Sequence, residues 1–150
     1  MKTGSFTYEV RAACTPRRAM QVLTDLPRHT GLNPLIVRVD EVEPTHGGSR
    51  AYLIHDRLAW GPLTFPMTYR AEVLRATEEE VIMLAVQQLS TTVRNHTHIE
   101  PSPDGVVLHC EFTMIAPRVL FGYAFRQGHA AHMELARRLP AAMAGGPSHS

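Results

Sequence analysis

The sequence predicts an α+β fold in which one long helix lies across one curved antiparallel sheet. Three observations carry this. Seven segments read as strands, several with a clean alternation of apolar and polar residues. The last six follow one another through short connections, which favours antiparallel pairing. A proline-free window of 22 residues, Arg118 to Leu139, comes next, opened by Pro117 and closed by Pro140. As a helix it would span roughly 33 Å, about the width of a small domain, so it needs something broad beneath it.

The elements follow in order. Ser5 to Ala12 alternates, with Phe6, Tyr8, Val10 and Ala12 on one face. Thr15-Pro16 then starts a helix, because Thr can cap and Pro at the first helical position loses no hydrogen bond. Pro27 interrupts its apolar stripe, so the stretch to Asn33 is a second short helix or a turn, ended by Asn33-Pro34. Ile36 to Glu43 is the second strand, and His46-Gly47-Gly48-Ser49 turns it into the third, Ala51 to Trp60. Gly61-Pro62 breaks the chain before the fourth, Thr64 to Arg75, whose Phe65, Met67, Tyr69, Ala71 and Val73 form one apolar face. Val81 to Leu89 and Thr91 to Glu100 are the fifth and sixth. The turn Pro101-Ser102-Pro103-Asp104-Gly105 leads to the seventh, Val106 to Ala116, with Leu108, Cys110, Phe112 and Met114 on its apolar face. Residues 1–144 read as a single domain and Gly145 to Ser150 as a frayed tail.

Composition excludes several classes. The chain has 150 residues, 44% hydrophobic and 19% charged, a globular profile. Its net charge is +1 with no basic block, which speaks against nucleic acid. No run approaches the roughly 18 apolar residues of a membrane span. Met1 to Phe6 has no signal-peptide core, so a cytoplasmic location and free thiols at Cys14 and Cys110 are expected. No phosphate loop, dinucleotide fingerprint, nucleophile elbow or HExxH motif is present, and no cofactor is expected.

The order of elements, with Thr15-Pro16, Leu23-Thr24-Asp25-Leu26, Leu32-Asn33-Pro34 and Cys110-Glu111-Phe112-Thr113-Met114, resembles the Bet v 1-like, START-related (SRPBCC) superfamily of polyketide cyclases and lipid-transfer proteins. The resemblance covers roughly Ser5 to Ala144. It implies a helix-grip fold: a seven-stranded sheet wrapped around the C-terminal helix, with two short helices between strands 1 and 2. It also implies a cavity for a hydrophobic or aromatic small molecule. In the cyclase branch such a pocket promotes aldol condensation and dehydration, helped by an arginine and tyrosines. Here the fourth strand's apolar face carries Tyr69 but no Arg; Arg70 and Arg75 fall on the other face. A carrier or sequestering protein, and a protein-interaction module with a filled cavity, are the alternatives. The expected partner is a hydrophobic small molecule, and a homodimer is compatible with the reading.

His129 and His132 are i, i+3 neighbours on the long helix and are the first candidates for a catalytic base, with Tyr69 beside them. Phe125 continues their face. Tyr52, Trp60, Phe65, Met67, Asn95, Leu108, Cys110 and Phe112 lie on faces that could line the cavity. Small residues on the helix, Gly122, Gly128, Ala124, Ala130 and Ala131, leave room under it. Cys110 is expected to be a buried thiol. His96 and His98 share a strand face but lack a third ligand fixed by sequence, so no metal site is expected. On the third strand either Asp56 or the pair His55 and Arg57 points inward, and a surface Asp56 is the simpler expectation.

Overall fold

A computed structural model describes residues 1–32, 36–60, 62–87 and 89–144, with side chains at all of them except 30, 31 and 58–60. The expected helix stop at Asn33-Pro34, the break at Gly61, the side chain of Trp60 and the tail from Gly145 lie outside that description.

Seven strands form one antiparallel sheet: β1 (Lys2–Ala12), β2 (Ile36–Val42), β3 (Arg50–Trp60), β4 (Leu63–Ala76), β5 (Glu80–Gln87), β6 (Thr91–Ser102) and β7 (Gly105–Ala116). Their order is β1-β7-β6-β5-β4-β3-β2. The first two strands in sequence are therefore the two edges. The helix α1 (Pro16–Thr24) and a 3₁₀ helix (Leu26–Gly31) carry the chain from one edge to the other. The curved sheet and the long C-terminal helix α2 (Arg118–Ala144) make the expected helix-grip α+β fold. Each β-segment expected from the sequence is a strand, with ends shifted by a few residues.

Alternation sets which side of the sheet is inside. Val10 and Ala12 of β1, Tyr52 and Ile54 of β3, Ala71 and Val73 of β4, and Leu108, Cys110, Phe112 and Met114 of β7 are all buried. Two bulges, at Ile36/Arg38 and Val73/Arg75, shift the register near the β2–β4 edge; bulges bend and twist a strand.

Local chemistry fixes the connections. Thr15 caps α1 by accepting from the Arg18 N–H at 3.1 Å, with Pro16 in the first turn. The C-terminal carbonyls of α1 find distant donors: the Tyr52 hydroxyl donates to Thr24 O at 3.0 Å, and His29 Nε2 lies 3.0 Å from Val22 O. Those carbonyls would otherwise be orphaned at the helix end. The β2–β3 turn is held by the buried Glu72, whose carboxylate accepts from the backbone N–H of Thr45 (2.8 Å), His46 (2.8 Å) and Gly48 (2.7 Å). A side chain at Gly48 would collide with Val73 O and with Glu72 itself.

The long helix departs from expectation at its end. It runs through Pro140 to Ala144 instead of stopping at Leu139. Proline removes one helical hydrogen bond, but Leu139 and Met143 lie one turn apart and are both buried in the core with Ala19, Val22, Val81 and Ile99. That packing holds the last turn in place.

Glu72 gives a stability test. Burial alone would raise its pKa, but the backbone N–H groups of Thr45, Gly48 and His46 prevail and hold it below the ordinary carboxylate value. A depressed carboxylate stabilises the fold above its unfolded pKa and loses that contribution as pH falls through the folded one. Glu72→Gln should cost about 2 kcal/mol at neutral pH in urea unfolding, and the deficit should shrink in acid.

Candidate functional site

The helix α2 rests on the β1/β7 side of the sheet. Phe6 and Phe112 stack at 4.6 Å, Phe125 packs on both, and the Phe112 ring sits where a side chain at position 128 would be. Gly128 thus lets the helix backbone approach the sheet. Beyond this contact the helices do not fill the space over the inward faces of β3 to β6, and a cavity of about 310 Å³ lies between them and α2. Its walls are mainly apolar, with Leu26, Ile36, Ile54, Met67, Met83 and Val93 among them. The third expectation, a filled cavity, does not describe this structure.

Several polar groups stand out on the walls. Asp56, from β3, faces inward, against the expectation of a surface charge. It shares a face with Tyr52 and Ile54, while His55 points away and bonds Asp40 at 3.1 Å. Burial pushes the Asp56 carboxyl up to about 7, opposed by a hydrogen bond from the Tyr69 hydroxyl. Tyr69, from β4, also lines the cavity, and burial and the Asp56 charge push its phenol upward. Asp56 Oδ1 is buried and has no hydrogen-bond partner among the described residues.

His132 lines the cavity from α2, and its Nδ1 lies 2.8 Å from Gly128 O. A carbonyl only accepts, so Nδ1 carries the proton and Nε2 keeps its lone pair. Burial drives this imidazole down to about 4, with the Gly128 bond acting against that and His29 and His129 adding to it. It is neutral at physiological pH. His29 also lines the cavity and is likewise lowered by burial. Tyr8, Cys110 and Thr97 form a hydroxyl–thiol–hydroxyl set on the floor, with Thr97 Oγ1 donating to Sγ at 3.8 Å. Burial raises Cys110, so it is a thiol.

The residues expected from sequence divide into two groups. His132, Tyr69, Phe65, Met67, Asn95, Cys110 and Phe112 line the cavity. Trp60 lies outside the described side chains, and the others lie elsewhere. His129 is exposed, its ring edge on Phe6 at 4.7 Å. Residues three apart on a helix differ by about 60° in azimuth, enough to put His132 inside and His129 outside. Tyr52 is wholly buried, its hydroxyl engaged by Thr24. Leu108 is core, and Phe125 is packed between Phe6 and Phe121. Gly122 is on the outer face with nothing near it and gives the cavity no room. Sequence reasoning missed Tyr8, His29 and Asp56 as cavity residues.

On the sheet's outer face, Glu80 supplies the neighbour that His96 and His98 lacked in sequence, the three offering ligand atoms within 4.8 Å of one another. Glu80 is already shared between His96 Nε2 (3.0 Å) and Arg75 Nε (2.6 Å), an ion-pair cluster outside the cavity. Both cysteines are free thiols. No helix among the described residues is long and apolar enough to cross a membrane.

No family model matches the chain, and no curated protein matches it by sequence. Solved structures do match. The di-domain ARO/CYC StfQ from the steffimycin biosynthetic pathway aligns with TM-score 0.71 and 17% identity over 96% of this chain; the chain spans about half, 52%, of StfQ. The chain has the Bet v 1-like, START-related fold. A START superfamily protein from Mycobacterium smegmatis aligns at TM-score 0.67 and 16% identity, covering 94% of this chain and 96% of that one. Norcoclaurine synthase from Thalictrum flavum, solved in complex with dopamine and hydroxybenzaldehyde, aligns at 0.62 and 14%, covering 92% and 86%.

Two predictions follow from the cavity wall. Leu89 lines the cavity yet has φ 61°, with Ser90 at 56°. This left-handed conformation costs a non-glycine residue roughly 1 kcal/mol. Leu89→Asn with Ser90→Gly should raise the melting temperature while weakening any cavity ligand, as calorimetry with and without ligand would show. A raised carboxyl favours folding only while protonated, so Asp56 costs stability as pH rises through about 7. Asp56→Asn should therefore raise the melting temperature by a few degrees in mild alkali, with the gain shrinking as pH falls and vanishing only near the ordinary carboxylate value of 3.8.

Proposed function

We propose that the protein binds a compact hydrophobic small molecule in the cavity between the sheet and α2. The observation that carries this reading is the cavity itself: about 310 Å³ of unfilled space, mainly apolar, with a few polar groups converging on it. That is the usual make-up of a ligand pocket, at the small end of the ordinary size range of ~300–1,000 Å³. Norcoclaurine synthase in its complex with dopamine and hydroxybenzaldehyde, a protein of the same fold, supports the reading by example.

One observation favours a catalytic role. A carboxyl pushed up to about 7 beside a tyrosine, in a cavity also lined by a neutral imidazole whose Nε2 keeps its lone pair, is suited to moving protons on a bound molecule. In that reading the Asp56 carboxylate takes a proton from the ligand and returns it from the carboxyl, His132 Nε2 accepts a hydrogen bond from the ligand, Tyr69 positions Asp56, and Asn95 orients the ligand. Aldol condensation and dehydration, as in polyketide cyclases, is one such reaction. It would proceed here without a cavity arginine, since none of the described lining residues is Lys or Arg.

Native mass spectrometry of the protein from its producing cell tests the first reading: a bound small molecule is expected, and its displacement by Ala124→Trp, which fills the cavity from α2, would localise it. Conversion of that compound by wild type, with a loss of at least ~100-fold in Asp56→Asn or His132→Ala, would establish the catalyst. Tight binding with no conversion would leave a carrier.

A further inference from the structure

The cavity has an uneven charge inventory. Asp56 is the acid on its wall, and no Lys or Arg accompanies it among the described lining residues. All 15 Lys and Arg of the chain have described positions, and none lines the cavity, so no basic side chain supplies the counter-charge. Tyr69 engages the carboxyl, yet Oδ1 remains buried without a partner among the described residues. A buried carboxylate without a counter-charge is expensive. Asp56 pairs with Met67 across β3 and β4, so Phe65 and Tyr69 flank it at two residues on either side, on the same inward face. An acidic oxygen lacking a donor, with aromatic rings to each side, is a setting that attracts a cation.

We propose that the ligand is a compact hydrophobic amine whose ammonium donates to Asp56 Oδ1, while its apolar body fills the space beneath α2. This deepens the reading of the cavity as a ligand site and rests on it. The ammonium supplies the donor that Oδ1 lacks and the positive charge that lets Asp56 ionise. The Tyr69 hydroxyl bonds the same carboxyl and is a positioning residue. The remaining titratable groups on the walls are Tyr8 from β1, His29 from the 3₁₀ helix, Cys110 from β7, and Tyr123 and His132 from α2. Burial holds Tyr8 and Cys110 up and His29 and His132 down, which keeps these four uncharged near neutrality. An anionic ligand would meet the Asp56 charge with nothing to offset it.

Three probes with one ring system and different charge test this: tryptamine, 3-ethylindole and indole-3-acetate, titrated calorimetrically at about pH 8, where Asp56 is largely ionised. Tryptamine should bind at least about tenfold more tightly than either of the others. The preference should fall at pH 6, where Asp56 holds its proton. Asp56→Asn should abolish it while leaving 3-ethylindole within about twofold, and Tyr69→Phe should weaken but keep it. If 3-ethylindole or indole-3-acetate binds as tightly as tryptamine, or Asp56→Asn leaves tryptamine unaffected, the amine proposal falls and the cavity reading stands. If none of the three binds, the cavity reading falls with it. Should Asp56→Asn fail to fold, the wild-type ranking and its pH dependence still decide.

Discussion

One helix cannot cover seven strands. A sheet of this width spans about 30 Å at ~4.8 Å per strand, while a helix with its side chains is only ~10 Å across. The contact of α2 with β1 and β7 is therefore a choice of which part to cover, and it is made by the Phe6–Phe112–Phe125 stack and the bare backbone of Gly128. Once the helix is committed to that side, β3 to β6 must curve toward it or face water. The helix α1 closes one end with Ala19, Val22 and Leu23, and the 3₁₀ helix lends Leu26 at the side. The middle stays open, and the cavity follows from that geometry.

Two tyrosines show how the same side chain serves structure or site. Tyr52 and Tyr69 lie on neighbouring strands, and both are directed inward. The Tyr52 hydroxyl donates to the Thr24 carbonyl at the end of α1, so it ties the helix to the sheet. Tyr69 lines the cavity, and its hydroxyl meets Asp56 instead. The first satisfies an orphaned backbone group. The second sustains a carboxyl that folding alone gives no reason to bury. A fold that retains such a group beside an unfilled space accepts a loss of stability there, the usual mark of a functional position.

Alternation made most of this legible. Phe65, Met67 and Tyr69 on β4, and Cys110 and Phe112 on β7, could be placed because period-two patterning fixes the face once one member is known to be buried. The same signal was present on β3: in sequence Tyr52, Ile54, Leu58 and Trp60 form the more apolar register, to which Asp56 belongs, and the buried Tyr52 and Ile54 show that face to be the inner one. The charge of a single residue obscured it. Tyr8 was equally within reach, through Val10 and Ala12. His29 was not, because a six-residue 3₁₀ helix has no periodicity to read and its imidazole is positioned by a carbonyl seven residues back. On α2, a shared helical face was too coarse: the boundary between cavity and surface runs between His132 and His129.

The wall groups titrate so that the cavity never carries positive charge near neutrality. His132 gains a proton only near pH 4, and His29 is shifted in the same direction, while Asp56 gives one up near 7. Between those limits the Asp56 carboxyl and the His132 imidazole are both neutral, and they offer hydrogen-bonding groups without charge. Above the upper limit the cavity becomes negative. Burial raises the acid and lowers the bases for one reason, the cost of any charge in apolar surroundings. It follows that occupancy by a cation lowers the Asp56 pKa, and that proton release on binding measures the coupling between ligand and carboxyl directly. A neutral ligand leaves that proton in place, so the number of protons released separates an ion-pairing ligand from one held by shape alone.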